Sequence, residues 1–287
     1  MNIISKLAFT CSLFSQAAFL PASAETLDVL AGKTHYHGIA FARSGSATLL
    51  LASHNGLFAL TKDGEATRVS PVHDYMGFSP DPIDPLSYYA SGHPAGGGNS
   101  GFLKTTDGGA TWKQLSPGVG GPVDFHQMDV SPADPKTIYG SYGELQVSHD
   151  GGKSWKVAGK PPTGLIALAA SSLKADQLYA ATKQGLSVSA GAGKSWQPLG
   201  FAGEVVSTVK AGPDGSLFAF VLGRGLMKAS ESKPNEWTSL SNGFGNAIPL
   251  HIAIDAANPS HIALTTQENG VLESIDGGAT WAPFGKS

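Results

Sequence analysis

Thr105-Thr106-Asp107-Gly108-Gly109-Ala110-Thr111-Trp112 is a phrase the chain repeats, as Ser148-His149-Asp150-Gly151-Gly152-Lys153-Ser154-Trp155 and as Ser274-Ile275-Asp276-Gly277-Gly278-Ala279-Thr280-Trp281. All five tryptophans fall on this ruler: Trp112, Trp155, Trp196, Trp237 and Trp281 stand 43, 41, 41 and 44 residues apart. A sixth mark has lost its tryptophan. Stepping back 44 residues from Trp112 reaches Arg68, at the end of Asp63-Gly64-Glu65-Ala66-Thr67-Arg68. Each mark follows a glycine 11 or 12 residues upstream (Gly56, Gly101, Gly143, Gly185, Gly225, Gly270), and apolar runs such as Leu49-Leu50-Leu51-Ala52 and His261-Ile262-Ala263-Leu264 precede those glycines. The runs read as strands. Repeats of about 40–50 residues with four short strands each specify a β-propeller, whose blades bury their faces only by stacking round a ring. The expectation is an all-β, six-bladed β-propeller filling residues 25–287 as a single domain, with repeats of about 41–44 residues.

Composition agrees. The 287 residues carry 37 glycines and 18 prolines, which favours many tight turns over long helices. With 14% charged residues and a formal net charge of -3 there is no basic excess to attract nucleic acid. Residues 1–24 read as a cleaved signal peptide: Lys6, an apolar stretch from Leu7 to Leu20, then Ala22-Ser23-Ala24 in the small-x-small form of a cleavage site. The stretch is too short and interrupted to span a bilayer, so the expected location is periplasmic or secreted. The single cysteine, Cys11, lies inside this segment. The mature chain is then left with imidazole, carboxylate, hydroxyl and thioether groups for any chemistry. Leu27–Leu30 is read either as a strand added to the last blade or as a segment packed beneath it.

In a four-stranded blade the turns alternate between the two ends of the ring, and this sorts the side chains. Seven of the nine histidines map to the rim that carries the blade-to-blade connections and the second-to-third turns, six of them from the first three blades. Imidazoles from several blades converging at one mouth suit a divalent metal, since a neutral ring nitrogen ligates Zn or Cu. The expected ligands are His37, His54, His73, His93 and His126, with Met76 as a thioether donor that would shift preference toward Cu(I). Asp74 and Asp124 are read as partners orienting the ring N–H groups, or as a catalytic carboxylate pair if the protein is a glycosidase. Tyr36, Tyr75 and Arg224 are the candidates for lining a ligand pocket at the same mouth. Pro94-Ala95-Gly96-Gly97-Gly98-Asn99-Ser100-Gly101 lengthens a turn on that rim, as a mobile lip or as a tolerated insertion, and lacks the pattern of a phosphate loop. No organic cofactor is indicated.

The repeat ends resemble the Asp-box, SxDxGxTW, of the BNR-repeat family found in sialidases and related propellers. Two copies are eroded, with Gly191 and Ser232 at the aspartate position. Together with Thr34-His35-Tyr36-His37-Gly38, Ser53-His54-Asn55-Gly56, His73-Asp74-Tyr75-Met76, Ser91-Gly92-His93-Pro94 and Asp124-Phe125-His126, the chain is similar to a group of exported bacterial BNR-repeat proteins labelled glycosylhydrolase-like or sialidase-like. The resemblance implies the propeller fold. It implies sialidase chemistry only if three arginines clamp the substrate carboxylate, and the chain has Arg43, Arg68 and Arg224 alone, with Arg43 on the wrong rim and Arg68 on an outer strand. The leading expectation is therefore a metal-binding propeller. The alternatives are a glycoside hydrolase of non-sialidase type acting on a glycan, or a periplasmic interaction or assembly module with a protein partner, as the related photosystem II stability factors and sortilin-type receptors suggest.

Overall fold

The computed structural model describes residues 24–286. The expected signal peptide lies outside the described residues, apart from Ala24. The chain enters through β1 (Glu25–Thr26) and α1 (Leu27–Ala31). The first blade follows as β2 (Tyr36–Phe41), β3 (Leu49–Ser53), β4 (Gly56–Leu60) and β5 (Glu65–Arg68), and the second as β6 (His73–Pro80), β7 (Tyr88–Pro94), β8 (Phe102–Thr105) and β9 (Lys113–Ser116). The third is β10 (Gln127–Val130), β11 (Ile138–Tyr142), β12 (Glu144–Ser148) and β13 (Lys156–Gly159); the fourth is β14 (Leu165–Ala170), β15 (Leu178–Thr182), β16 (Gly185–Ser189) and β17 (Gln197–Gly200). The fifth is β18 (Val206–Ala211), β19 (Ser216–Val221), β20 (Gly225–Ser230) and β21 (Lys233–Ser241); the sixth is β22 (Pro249–Ile254), β23 (Ile262–Thr266), β24 (Val271–Ser274) and β25 (Ala282–Pro283). Each blade pairs its four strands in sequence order, antiparallel throughout, and β1 adds a fifth strand beside β5 in the first.

Stacking explains the strand patterns. The second strands β3, β15, β19 and β23 are buried along their whole length, because a neighbouring blade covers each face, and so they read as unbroken runs of apolar and small residues rather than alternating. The core accordingly divides into six clusters, one at each blade interface. The tryptophans seal five of these six interfaces from the outside, all but the seam between the sixth and first blades: Trp112 packs 4.7 Å from Tyr75, and Trp155 lies 4.9 Å from Phe125.

The Asp-box is the turn that sets each tryptophan. In the third blade Asp150 accepts the Ser154 amide at 2.9 Å, the Ser154 hydroxyl at 2.6 Å and the Ser148 hydroxyl at 2.8 Å. These bonds, the Ser154 hydroxyl foremost, hold its carboxyl at about 2, and Asp276 in the sixth blade is held likewise by Thr280. In the intact copies the indole N–H donates back to the carbonyl of Gly109 at 2.9 Å or Gly278 at 2.9 Å. Where the box is eroded that bond is gone. Trp196 donates instead to Lys160 O in the preceding blade, and the Trp237 N–H is buried without a partner.

Leu27–Leu30 adds no strand to the last blade. Thr26 caps the helix α1, with its hydroxyl accepting the Val29 amide at 3.4 Å, and β1 pairs with β5 on the outer edge of the first blade. The helix instead sets Leu30 into the seam between the sixth and first blades, among Tyr36, Phe41, Val271 and Phe284. That seam closes by side-chain packing and by Asn269, whose amide donates to Ala31 O at 3.0 Å.

The innermost strands surround a central cavity of about 410 Å³ with a mainly apolar wall that includes Ile39, Val130, Leu168, Val209 and Ile252. Its lining continues to Arg43, Asp81, Pro132 and Pro213, on the first-to-second turns of four blades. The cavity therefore faces the rim opposite the histidines. Within it Lys210 of the fifth blade reaches Asp129 of the third at 2.9 Å and 3.1 Å, and Asp129 also accepts the Ala170 amide at 3.0 Å.

Candidate metal centre

The histidine rim is built where the innermost strands begin. His37 enters on β2, His54 sits in the β3–β4 turn, Asp74 lies near the start of β6, His93 near the end of β7, and Asp124 and His126 in the connection leading to β10. Circular stacking brings these into two groups, His37 with His54 and Asp74, and His93 with Asp124 and His126, each with its ligand atoms within 4.8 Å of one another. Four of the five expected histidines are thus gathered, in pairs, and the two aspartates stand at donor distance among them rather than behind the rings.

In the first trio His37 Nε2 is 3.1 Å from His54 Nδ1, His54 Nδ1 is 2.8 Å from Asp74 Oδ2, and His37 Nε2 is 3.6 Å from Asp74 Oδ1. Burial, reinforced by the neighbouring His54, pushes the His37 imidazole down to about 4, against the opposing pull of Asp74. At neutral pH it is an uncharged ring offering a lone pair.

The second trio has a sharper geometry. Asp124, only 5% exposed at its side chain, receives His126 Nε2 at 2.7 Å and His93 Nε2 at 2.9 Å on the same oxygen, Oδ2. The other nitrogen of His93, Nδ1, is 2.9 Å from the carbonyl of Gly98. A carbonyl oxygen only accepts, so Nδ1 must carry the proton. In the neutral ring Nε2 then presents a lone pair to a carboxylate at 2.9 Å, an arrangement that is repulsive unless the ring is protonated or a cation stands between them. A backbone carbonyl fixing the tautomer of a ring whose second nitrogen faces outward is the usual outer support of a metal-bound histidine. The hydrogen bond to Asp124 holds the His126 imidazole above its ordinary value.

Each trio also leaves one buried carboxylate oxygen, Asp74 Oδ1 and Asp124 Oδ1, without a hydrogen-bond partner. Buried polar atoms are nearly always satisfied, so the two oxygens at the two trios call for a donor such as a cation or a water. Donors about 2.0–2.1 Å from a tetrahedral ion stand about 3.3 Å apart. The imidazole–carboxylate separations within the trios, 2.7–3.6 Å, straddle that spacing.

The other expected residues fall elsewhere. His73 turns away to Ser100, its Nε2 2.9 Å from the hydroxyl, and stacks 4.7 Å from Tyr75. Met76 and Met128 are buried, and Met128 packs in the interface between the second and third blades. Tyr36 and Tyr75 are core residues of the blade interfaces rather than a pocket floor, since their strand positions direct the rings between stacked blades. Arg224 forms a two-pronged pair with Glu204, at 2.6 Å and 2.8 Å, on the fifth blade, away from the first three blades that build the trios. Arg43 donates to the carbonyls of Pro82 at 3.1 Å and Asp84 at 2.7 Å on the opposite rim. The Pro94–Gly101 insertion is tied down: besides the Gly98 contact to His93, Asn99 donates to Pro122 O at 3.0 Å and to the Tyr142 hydroxyl at 2.9 Å. The sequence offered one hint of that Gly98 carbonyl, the insertion beginning directly after a histidine, but no residue type marks a backbone acceptor.

Residues 146–157 match the BNR/Asp-box repeat family. The chain is a six-bladed propeller built on BNR repeats. No curated protein sequence matches it. Among solved structures it is similar to a GH74 enzyme of Niastella koreensis (15% identity, TM-score 0.60, 87% of this chain and 45% of that one) and to a GH74 xyloglucanase of Xanthomonas campestris (19%, 0.57, 88% and 45%). It is also similar to YCF48 bound to D1 peptide (18%, 0.56, 93% and 86%). The chain spans less than half the length of the two GH74 structures, and at these identities the likeness is one of fold. Among the described residues no helix is long and apolar enough to cross a membrane.

Proposed function

We propose that this protein is an exported propeller that binds a divalent transition metal, Zn²⁺ or Cu²⁺, at its histidine rim. The observation that carries the reading is His93, held between two acceptors, Gly98 O and Asp124 Oδ2, in a trio whose remaining carboxylate oxygen is buried and unpartnered. Two imidazoles and a carboxylate form a borderline donor set, which favours a divalent ion over Cu(I). Three protein donors leave a coordination position free, as in exchangeable or catalytic sites rather than closed structural ones.

A glycosidase reading has less support. Asp74 and Asp124 are both engaged by histidines, and among the described residues the large apolar side chains that are exposed, rather than half-buried, include Tyr142 but no tryptophan or phenylalanine. A docking role rests on likeness of fold alone.

Elemental analysis of the protein isolated from its native compartment, with Zn²⁺ and Cu²⁺ uptake measured on the metal-stripped chain, tests the metal reading. Bound metal is expected, lost in the His37→Ala/His126→Ala double variant. A metal-free native protein whose stripped form takes up neither ion would overturn it. N-terminal sequencing of that same material, expected to start at Glu25, tests export with cleavage after Ala24.

A further inference from the structure

Resting on the metal reading, we infer that the mouth holds two ions, one per trio, and that the pair takes an oxyanion of the phosphate class between them. The trios are separate donor sets: each has two imidazoles and one carboxylate, and none of the six residues is shared. They are also adjacent. Asp74 of the first trio and His93 of the second are register partners across the β6–β7 hairpin, which places their Cα atoms about 4.5–5.5 Å apart. One hairpin of the second blade therefore supplies a ligand to each site, and both sites open on the same rim. The rings of His54, His93 and His126 are 46%, 40% and 51% exposed, so the free coordination positions face solvent on that shared side.

Charge completes the inference. Two divalent ions bring four positive charges, Asp74 and Asp124 supply two negative ones, and four neutral imidazoles supply none. Two positive charges remain at a half-buried mouth. On the same rim Glu204 pairs with Arg224, while Glu144 and Glu268, in the second-to-third turns of the third and sixth blades, belong to neither trio. The free coordination positions are therefore open to an anion from solution, and one with several oxygens fills both at once, as phosphoryl groups do between paired ions.

The test uses the full mature chain, stripped of metal and dialysed against micromolar Zn²⁺. Two ions per chain are expected, falling to one in His54→Ala and one in His126→Ala; the surviving ion shows that each variant is folded. Inorganic phosphate, titrated calorimetrically, is expected to bind the two-ion protein at least tenfold more tightly than either one-ion variant or the stripped protein. A single ion per chain, lost in both variants alike, overturns the two-ion assignment and leaves the metal reading standing, whereas no uptake at all removes both. Equal phosphate affinity in the one-ion variants overturns the bridging. Parallel titrations use acetate and phenyl phosphate. Acetate binding as tightly as phosphate overturns the assignment to phosphate, and phenyl phosphate binding like the inorganic ion supports recognition of the phosphoryl group itself.

Discussion

At the scale of single residues, the chain's chemistry turns on which atoms of a histidine are already committed. His93 and His126 share one carboxylate oxygen, so Asp124→Asn replaces an anionic donor with an amide and is expected to weaken Zn²⁺ binding at the second trio at least tenfold, since losing even an outer partner of a metal ligand costs about 10–100-fold. Competition with a chromophoric chelator reads this directly, and an unchanged affinity would show that Asp124 is no ligand. His251 has a different role. It stands on the wall of the central cavity, where burial lowers its imidazole to about 4, so the folded protein holds it neutral. The unfolded chain takes up that proton near 6.5, so the stability this residue contributes is present above pH 6.5 and is lost as pH falls toward 4. Denaturant unfolding at pH 7 and pH 4.5 is expected to show a loss of about 2–3 kcal/mol in the wild type that His251→Gln does not share. An equal acid loss in the variant would assign the effect to other groups. The rim histidines were legible in the sequence as a set, because turn alternation sorts residues by rim. Their division into two trios was not, because it depends on ring orientations that only packed neighbours fix.

At the scale of the element, the Asp-box was readable down to its atoms, since a serine or threonine, an aspartate and two glycines at fixed offsets specify one turn. The two glycines are not equivalent. Both Gly151 and Gly152 have positive φ, 74° and 85°, which a side chain resists. A Cβ on Gly151 would meet nothing, whereas one on Gly152 would lie 1.9 Å from Phe102 Cε1. Gly151→Ala is therefore expected to cost about 1–2 kcal/mol from the backbone alone, and Gly152→Ala a further 1–3 kcal/mol or so from overpacking. Thermal unfolding of the two variants compares them, and equal losses would mean that the blade interface yields to the added methyl. Blade five shows what replaces the box once its aspartate is lost. β20 and β21 run on into a tight hairpin, with Ser230 paired to Lys233, and Glu231 of that turn is buried, accepting the Ser172 amide at 2.9 Å and the Tyr179 hydroxyl at 3.0 Å. An isolated glutamate in an eroded repeat carries no signal of that role in the sequence.

At the scale of the whole molecule, the ring is held by contacts between residues far apart in the chain. The Lys210–Asp129 pair links the fifth blade to the third across the central cavity, with Asp129 almost fully buried. Lys210→Met removes the partner and leaves a buried carboxylate supported by the Ala170 amide, at an expected cost of about 3–5 kcal/mol; adding Asp129→Leu is expected to recover most of it. Denaturant midpoints of the single and double variants measure this, and a single variant as stable as the wild type would mean that the pair contributes nothing net. Ring closure also depends on α1, and Leu30→Ala at the seam is expected to cost about 2–5 kcal/mol in the same assay.

The sequence by itself determined the blade count, the strand order within each blade, the Asp-box turns and the rim on which most histidines gather. Those follow from local periodicity and turn chemistry, which are properties of neighbouring residues. Only the tertiary structure decided that Leu27–Leu30 becomes a helix in the closing seam, that His73 stands outside the ligand groups, and that the remaining imidazoles and two aspartates form two separate trios. Those outcomes depend on which blade packs beside which, and at what ring angle, and chain spacing alone does not encode that.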